Sequence, residues 1–207
     1  MWAKVVDAEM DPSRIDVAAR AVKYDVIPDF EAQPGARRGF WMANRTSGEV
    51  LVVTIWSDQG SLAAGWSADG ANRAHVVERT GLGIRVVQTM EVLATDPDLT
   101  VAPVRGARAT WIGGVATGRG RDLATMRANV LTDRRSSGVC GSYWFGDATT
   151  GAGLVLSLRD GPVELPGSER DRDGRQRRLE DTLDCTTSRV SAYESLGVAV
   201  PTVSSGE

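Results

Sequence analysis

The chain has 207 residues, 42% hydrophobic and 25% charged, an ordinary globular composition that excludes wholesale disorder. Its formal charge of −3 argues against a dedicated nucleic-acid binder, and no stretch nears the ~20 apolar residues of a membrane-spanning helix. The opening Met1-Trp2-Ala3-Lys4-Val5-Val6-Asp7 lacks a signal-like apolar run, and Cys140 and Cys185 are too few for a disulfide framework, so a cytoplasmic protein with free thiols is expected.

Residues 2–9 are apolar and β-branched enough for a first strand. Asp11-Pro12-Ser13 opens a helix, since proline is tolerated in the first turn, and Ile15, Ala18, Ala19, Val22 and Val26 recur at helical spacing over 13–27. Pro34-Gly35 marks a turn. Residues 40–44, then Thr46-Ser47-Gly48, then 49–56 read as strand, tight turn, strand, with glycine at the turn position that needs positive φ. Ser57-Asp58 caps a second helix, which breaks near Asp69-Gly70 and resumes through Val77. Residues 81–94 give the last strand. The order βαββαβ is that of a ferredoxin-like unit.

The second half repeats the first at a constant offset of 103 positions: Gly35 with Gly138, Phe40 with Tyr143, Trp41 with Trp144, Gly48 with Gly151, Leu51 with Leu154 and Glu91 with Glu194. It predicts a strand at 105–112, a helix at 119–133, a hairpin at 139–159, a helix at 166–183 and a strand at 186–196. The expected organisation is a first unit at 1–95, a linker at 96–103, a second, degenerate unit at 104–197 and a tail at 198–207. Such a unit covers one sheet face with helices and leaves the other bare. Residues 50–56, Val-Leu-Val-Val-Thr-Ile-Trp, are apolar almost without alternation and predict burial on both faces. The expected fold class is therefore α+β, two βαββαβ units packed sheet to sheet as an intramolecular pseudo-dimer, with a homodimer not forbidden. The scarcity of lysine, only Lys4 and Lys23 beside many arginines, points to a GC-rich bacterial genome.

The pattern Pro34-Gly35, Gly39-Phe40, Thr46-Ser47-Gly48 and Val52-Val53-Thr54-Ile55-Trp56-Ser57 followed by a helix resembles the antibiotic-biosynthesis-monooxygenase-like group of dimeric α+β barrel proteins. The resemblance implies a pocket between sheet and helices of each unit. It leaves activity open, because the group includes cofactor-free oxygenases, haem degraders and proteins without a known reaction.

Trp56 and Trp66 have no aromatic counterpart in the second half, where Arg159 and Glu169 stand, so they are candidates for the site. Trp41, matched by Trp144, reads as core. His75 is the lone histidine and the natural base or metal ligand. The stretch from Trp66 to His75 resembles the second-helix segment of small bacterial haem-degrading oxygenases. That resemblance implies His75 on iron and Trp66 against the macrocycle, with Asp7 where those proteins carry an asparagine. Nine residues on an unbroken helix put Trp66 and His75 on opposite sides, so both reach one pocket only through a break at Asp69-Gly70.

A cofactor-free oxygenase needs a hydrophobic cavity, a base and donors for an oxyanion. Asp7 or His75 is the expected base; Asn44, Arg37, Arg38 and the Trp66 indole N–H are the expected donors, and Tyr24 and Tyr143 are further candidates for the cavity wall. Gly113-Gly114-Val115-Ala116-Thr117-Gly118-Arg119-Gly120 lacks the Lys-Ser/Thr of a phosphate loop and reads as a strand-to-helix joint. The mixed-sign run at 169–178 reads as a solvated face. Three readings follow. The first is a protein binding a small apolar or aromatic molecule and oxidising it without cofactor, the second a haem binder or degrader using His75 and Trp66, and the third a non-catalytic ligand-binding or scaffold protein.

Overall fold

Alternating small and β-branched side chains make Trp2–Glu9 the first strand, β1. In the computed structural model, residues 1–68, 70–95, 103–113, 138–147, 149–161, 163 and 186–201 are described. The predicted helices at 119–133 and 166–183, the glycine-rich joint from 114 onward, the charge run at 169–178 and Cys185 lie outside them.

Asp11 accepts a hydrogen bond from the Ser13 N–H and starts a helical segment with Pro12 in its first turn. The segment runs as a 3₁₀ turn (Pro12–Arg14), α1 (Ile15–Ala21), a π-helical turn (Val22–Val26) and α2 (Ile27–Glu31). It extends past the predicted end at 27. Pro28 explains the π turn. Its ring has no N–H and would clash with the carbonyl four residues back, so the helix widens and the Ile27 N–H reaches the Val22 carbonyl instead.

Strands β2 (Ala36–Ala43) and β3 (Glu49–Trp56) form a hairpin. At its tip Asn44 Oδ1 accepts from the N–H groups of Thr46 and Ser47, and Gly48 turns the chain at φ +75°. A β-carbon there would strike the Met10 carbonyl oxygen, so only glycine fits. Asp58 accepts from the Ser61 N–H and caps α3 (Gln59–Ala68); α4 (Gly70–Thr80) follows, and the last strand of the half is β4 (Gly83–Thr95). The second half supplies β5 (Gly106–Gly113), β6 (Val139–Gly146), β7 (Gly153–Arg159) and β8 (Thr186–Ala199).

The chain divides into two compact units: residues 1–89 with 195–207, and residues 90–194. The boundaries fall inside β4 and β8. In the first unit the antiparallel order is β4-β1-β3-β2, with the end of β8 beside β2; in the second it is β8-β5-β7-β6, with the end of β4 beside β6. Both orders are those of an α+β ferredoxin-like sheet.

The two hairpins match residue for residue. Ala36 pairs Trp56 and Arg38 pairs Ile55 across a bulge; 103 positions on, Val139 pairs Arg159 and Gly141 pairs Leu158 across the same bulge. Gly35 and Gly138 share positive φ, as do Gly48 and Gly151. Asp147 accepts from the Thr149 N–H, as Asn44 does in the first tip. In the first unit one sheet face carries Ala3, Val5, Phe40, Met42, Leu51, Val53 and Ile55, all under 2% exposed. The helices pack on the other face, and there the site lies.

Candidate functional site

Strand pleating sends alternate side chains to opposite faces. On the helix-bearing face of the first unit, β1 presents Val6, β2 presents Trp41 and β3 presents Val50, Val52, Thr54 and Trp56. The helices lie over this face without filling the space. Ala18 comes from α1, Val22 and Val26 from the π turn, Phe30 from α2, and Gly65 and Trp66 from α3. Arg73, Val76, Val77 and Thr80 come from α4, recurring at i, i+3, i+4 and i+7 as one helical stripe. Together with Leu82, Ile84 and Leu196 they enclose a cavity of about 130 Å³, close to one that holds benzene in an apolar protein core.

Aromatic contacts fix one end. Phe30 meets Trp41 and Trp56 edge to face, with centroids 5.6 and 5.2 Å apart. The Trp56 indole N–H donates to Thr54 Oγ1 at 3.1 Å, which satisfies its polar atom. Its ring rests on Gly65, where a β-carbon would collide with it.

Positive charge gathers around Trp66. The Arg73 guanidinium lies 3.6 Å from the ring centroid and donates to the Trp66 carbonyl at 3.2 Å. Lys4 Nζ lies 4.9 Å from the same centroid and donates to Thr89 Oγ1 at 2.8 Å. Burial pushes the Lys4 ammonium below its ordinary pKa, and the nearby Arg73 guanidinium adds to that shift.

Of the sequence candidates, Trp56 and Trp66 line the cavity and the others do not. The break predicted at Asp69-Gly70 falls on residue 69, outside the described residues. His75 falls roughly opposite the cavity stripe of α4 at 100° per residue, and is exposed. Asp7 is out of phase with Val6 and points to the other sheet face, where Arg85 Nη2 donates to its Oδ1 at 3.0 Å. Arg38 pairs with Ile55 and is likewise out of phase with Trp41, while Arg37 is the exposed extra residue of the bulge. Asn44 is committed to its turn. Tyr24 is 65% exposed on the outer side of the π turn, under Lys23. Tyr143 is buried and stacks on Phe145.

Sequence reading missed Arg73, Gln33 and the valines of α4. The stripe of Arg73, Val76, Val77 and Thr80 was the available signal, but a helix stripe does not say whether it meets a filled or hollow neighbour.

The matching register puts Arg108, Thr110, Ser142, Trp144, Ser157 and Arg159 on the face of the second unit's sheet that corresponds to the cavity face of the first. Lys4, Val6, Gly39, Trp41, Thr54 and Trp56 stand at those places in the first. Arg159 stands where Trp56 does and Thr110 where Val6 does, while Trp144 repeats Trp41, so among the described residues the aromatic wall is repeated only in part. Cys140 is a free thiol whose pKa is pushed up by burial and by the nearby Asp160 carboxylate. Among the described residues no group of three His, Cys, Asp or Glu side chains can hold a metal ion, and no helix is long and apolar enough to cross a membrane.

No protein-family model and no curated protein matches the chain by sequence. Solved structures match it in fold. A "putative monooxygenase" of Fusobacterium nucleatum superposes with a TM-score of 0.65 at 11% identity, over 96% of this chain and 94% of that one. An anthrone oxidase-like protein gives 0.59 at 10% identity over 97% and 94%. A haem-binding protein of Thermus thermophilus gives 0.54 at 12% identity over 94% and 90%. At these identities the likeness is one of fold. The chain thus has the ferredoxin-like α+β fold of the monooxygenase-like proteins that its turn and strand motifs resemble.

Proposed function

We propose that the first unit binds a small apolar or aromatic molecule in its indole-walled cavity, and that the protein oxidises it with dioxygen and no bound cofactor. The cavity carries the reading: Trp41, Trp56 and Trp66 together with valines enclose about 130 Å³, enough for one ring. In such chemistry the substrate anion itself reduces dioxygen; Asp7 and His75 face away from the cavity, so the reading calls for a substrate acidic enough to lose its proton to water. An activated methylene becomes a carbonyl, one oxygen atom enters it and the other leaves as water. What this chain offers is a cavity with a mostly apolar wall, which disfavours competing water, and the Arg73 guanidinium in that wall, whose charge favours an enolate or phenolate oxygen.

The monooxygenase-like and anthrone oxidase-like fold relatives support this choice of reaction. The identical hairpin registers support reading 1–95 and 104–197 as tandem copies of one unit. Arg159 in the place of Trp56 and Thr110 in the place of Val6 support a single working pocket in the first unit.

Titration of the protein with single-ring aromatics, followed by the indole N–H resonances in ¹⁵N NMR, tests binding. Oxygen uptake with 2-indanone tests the reaction. Shifts at Trp56 and Trp66 with uptake are expected; shifts without uptake overturn the oxidation and leave a binding protein, and the absence of both overturns the whole proposal.

Haem is the second reading, supported by the haem-binding fold relative from Thermus thermophilus. The residues present fit it poorly. His75 is exposed and off the cavity stripe, and a tetrapyrrole far exceeds a cavity sized for one ring. A Soret band shifted on mixing with haem and lost in His75→Ala would establish it.

A further inference from the structure

We infer that the Thr54 hydroxyl, set in place by the Trp56 indole, donates to an oxygen of the ligand, so that the cavity favours a ring bearing a neutral oxygen over the bare hydrocarbon. The inference rests on the binding reading above and adds the residue that orients the guest. Thr54 and Trp56 are two apart on β3 and face the cavity together. Strands β1 and β2 flank β3 on both sides, so the half-buried Thr54 side chain opens only toward the hollow. Its partner on β2 is Gly39, where the Trp41 ring lies in the space a β-carbon would take. Its partner on β1 is Lys4, whose ammonium is drawn off to Thr89 Oγ1. The hydroxyl therefore lies beside two indoles, those of Trp41 and Trp56.

A threonine hydroxyl has one proton to give and two lone pairs. One lone pair takes the Trp56 N–H at 3.1 Å, and among the described residues nothing accepts the proton. Accepting from an N–H polarises the O–H and makes it a better donor. A hydrocarbon guest covers that proton without pairing it, whereas a guest with an oxygen at this point pairs it. The other polar wall groups are placed differently. Arg73 donates to the Trp66 carbonyl and Thr80 Oγ1 to the Val76 carbonyl, while Gln33 lies beyond the end of α2. In the second unit Ser157 and Arg159 hold the matching places, so a hydroxyl recurs there without the indole that sets it.

The test compares two ligands of one shape, 2-indanone and indane, binding to the full chain and to its variants. Thr54→Val removes the hydroxyl at constant shape and should lower the affinity of 2-indanone relative to indane about tenfold. Thr54→Ser keeps the hydroxyl and should hold the relative affinity within about threefold of native, and Gln33→Leu should leave it unchanged. In the native protein, which needs no variant to fold, the infrared carbonyl band of bound 2-indanone should lie at lower frequency than in an alkane. Thr54→Val should return it to the alkane position. An alkane-like band in the native complex overturns the inference. So does a relative affinity that Thr54→Val leaves unchanged, that Thr54→Ser lowers as far as Thr54→Val does, or that only Gln33→Leu lowers. Binding of indane without 2-indanone overturns it while leaving the cavity reading intact; binding of neither removes both.

Discussion

The benzenoid edge of the Trp56 indole lies against the α-carbon of Gly65, in the space that any β-carbon at that position would take. Trp56 ends β3 and Gly65 sits in the middle of α3, so this contact sets how closely the helix approaches the sheet. It also fixes the ring that forms one wall of the cavity. Gly65→Ala must push the ring or the helix away. Overpacking of this kind should cost about 1–3 kcal/mol, against a small gain in helix propensity, and should weaken ligand binding. Urea denaturation and a ligand titration on the same variant check both effects.

Val52 pairs with Trp41 across the hairpin and projects into the same hollow. Val52→Phe places a ring where the ligand's ring is proposed to sit. Ligand binding should be lost while stability stays within about 1 kcal/mol of wild type, since the added carbons enter empty space. Calorimetric unfolding beside the titration reads the two separately. A variant that binds with native affinity puts the ligand elsewhere.

The Asp7–Arg85 pair ties β1 to β4 on the face away from the cavity, with Glu9 Oε2 a further 3.5 Å contact of Arg85. Asp7 is buried and Arg85 is about one-third exposed, so the pair is partly screened. Arg85→Met should cost about 1–3 kcal/mol, less than a fully buried pair. Asp7→Asn should leave ligand affinity and oxygen uptake within about twofold of native. Loss of uptake by orders of magnitude would return Asp7 to the role of base.

Asp58 ties the start of α3 through the Ser57 hydroxyl, the Ser61 N–H and the Ser61 hydroxyl. These bonds, led by that from Ser57, hold its carboxyl at about 2, below the usual 3.8. A depressed folded pKa means the unfolded chain takes up the proton first. The stabilisation is complete above the unfolded value and is lost as pH falls from about 4 through 2. Asp58→Asn, which keeps a capping oxygen without the charge, should flatten this part of the stability curve. Thermal unfolding from pH 5 down to pH 2 measures it.

Much of the fold could be read from the chain itself. Val50 to Trp56 is apolar without alternation, and both its faces carry buried residues. Gly48 and Gly151 mark two turns of one shape. Trp56 and Trp66 stood out because the second half lacks aromatics at those places. The end of the first helical segment was harder to read, since Pro28 is absorbed by a π turn rather than ending the helix.

The direction of each polar candidate was decided by tertiary structure. Asp7 and Val6 are neighbours in sequence, yet the pleat sends one to an ion pair with Arg85 and the other to the cavity. His75 and Arg73 share α4, and only the angle at which that helix settles on the sheet turns Arg73 inward. The chain alone determined which segments become strands, turns and helices, because those depend on local sterics and periodicity. The hollow and the residues facing it depend on how helices dock on a sheet, a sum of distant contacts that no local pattern records.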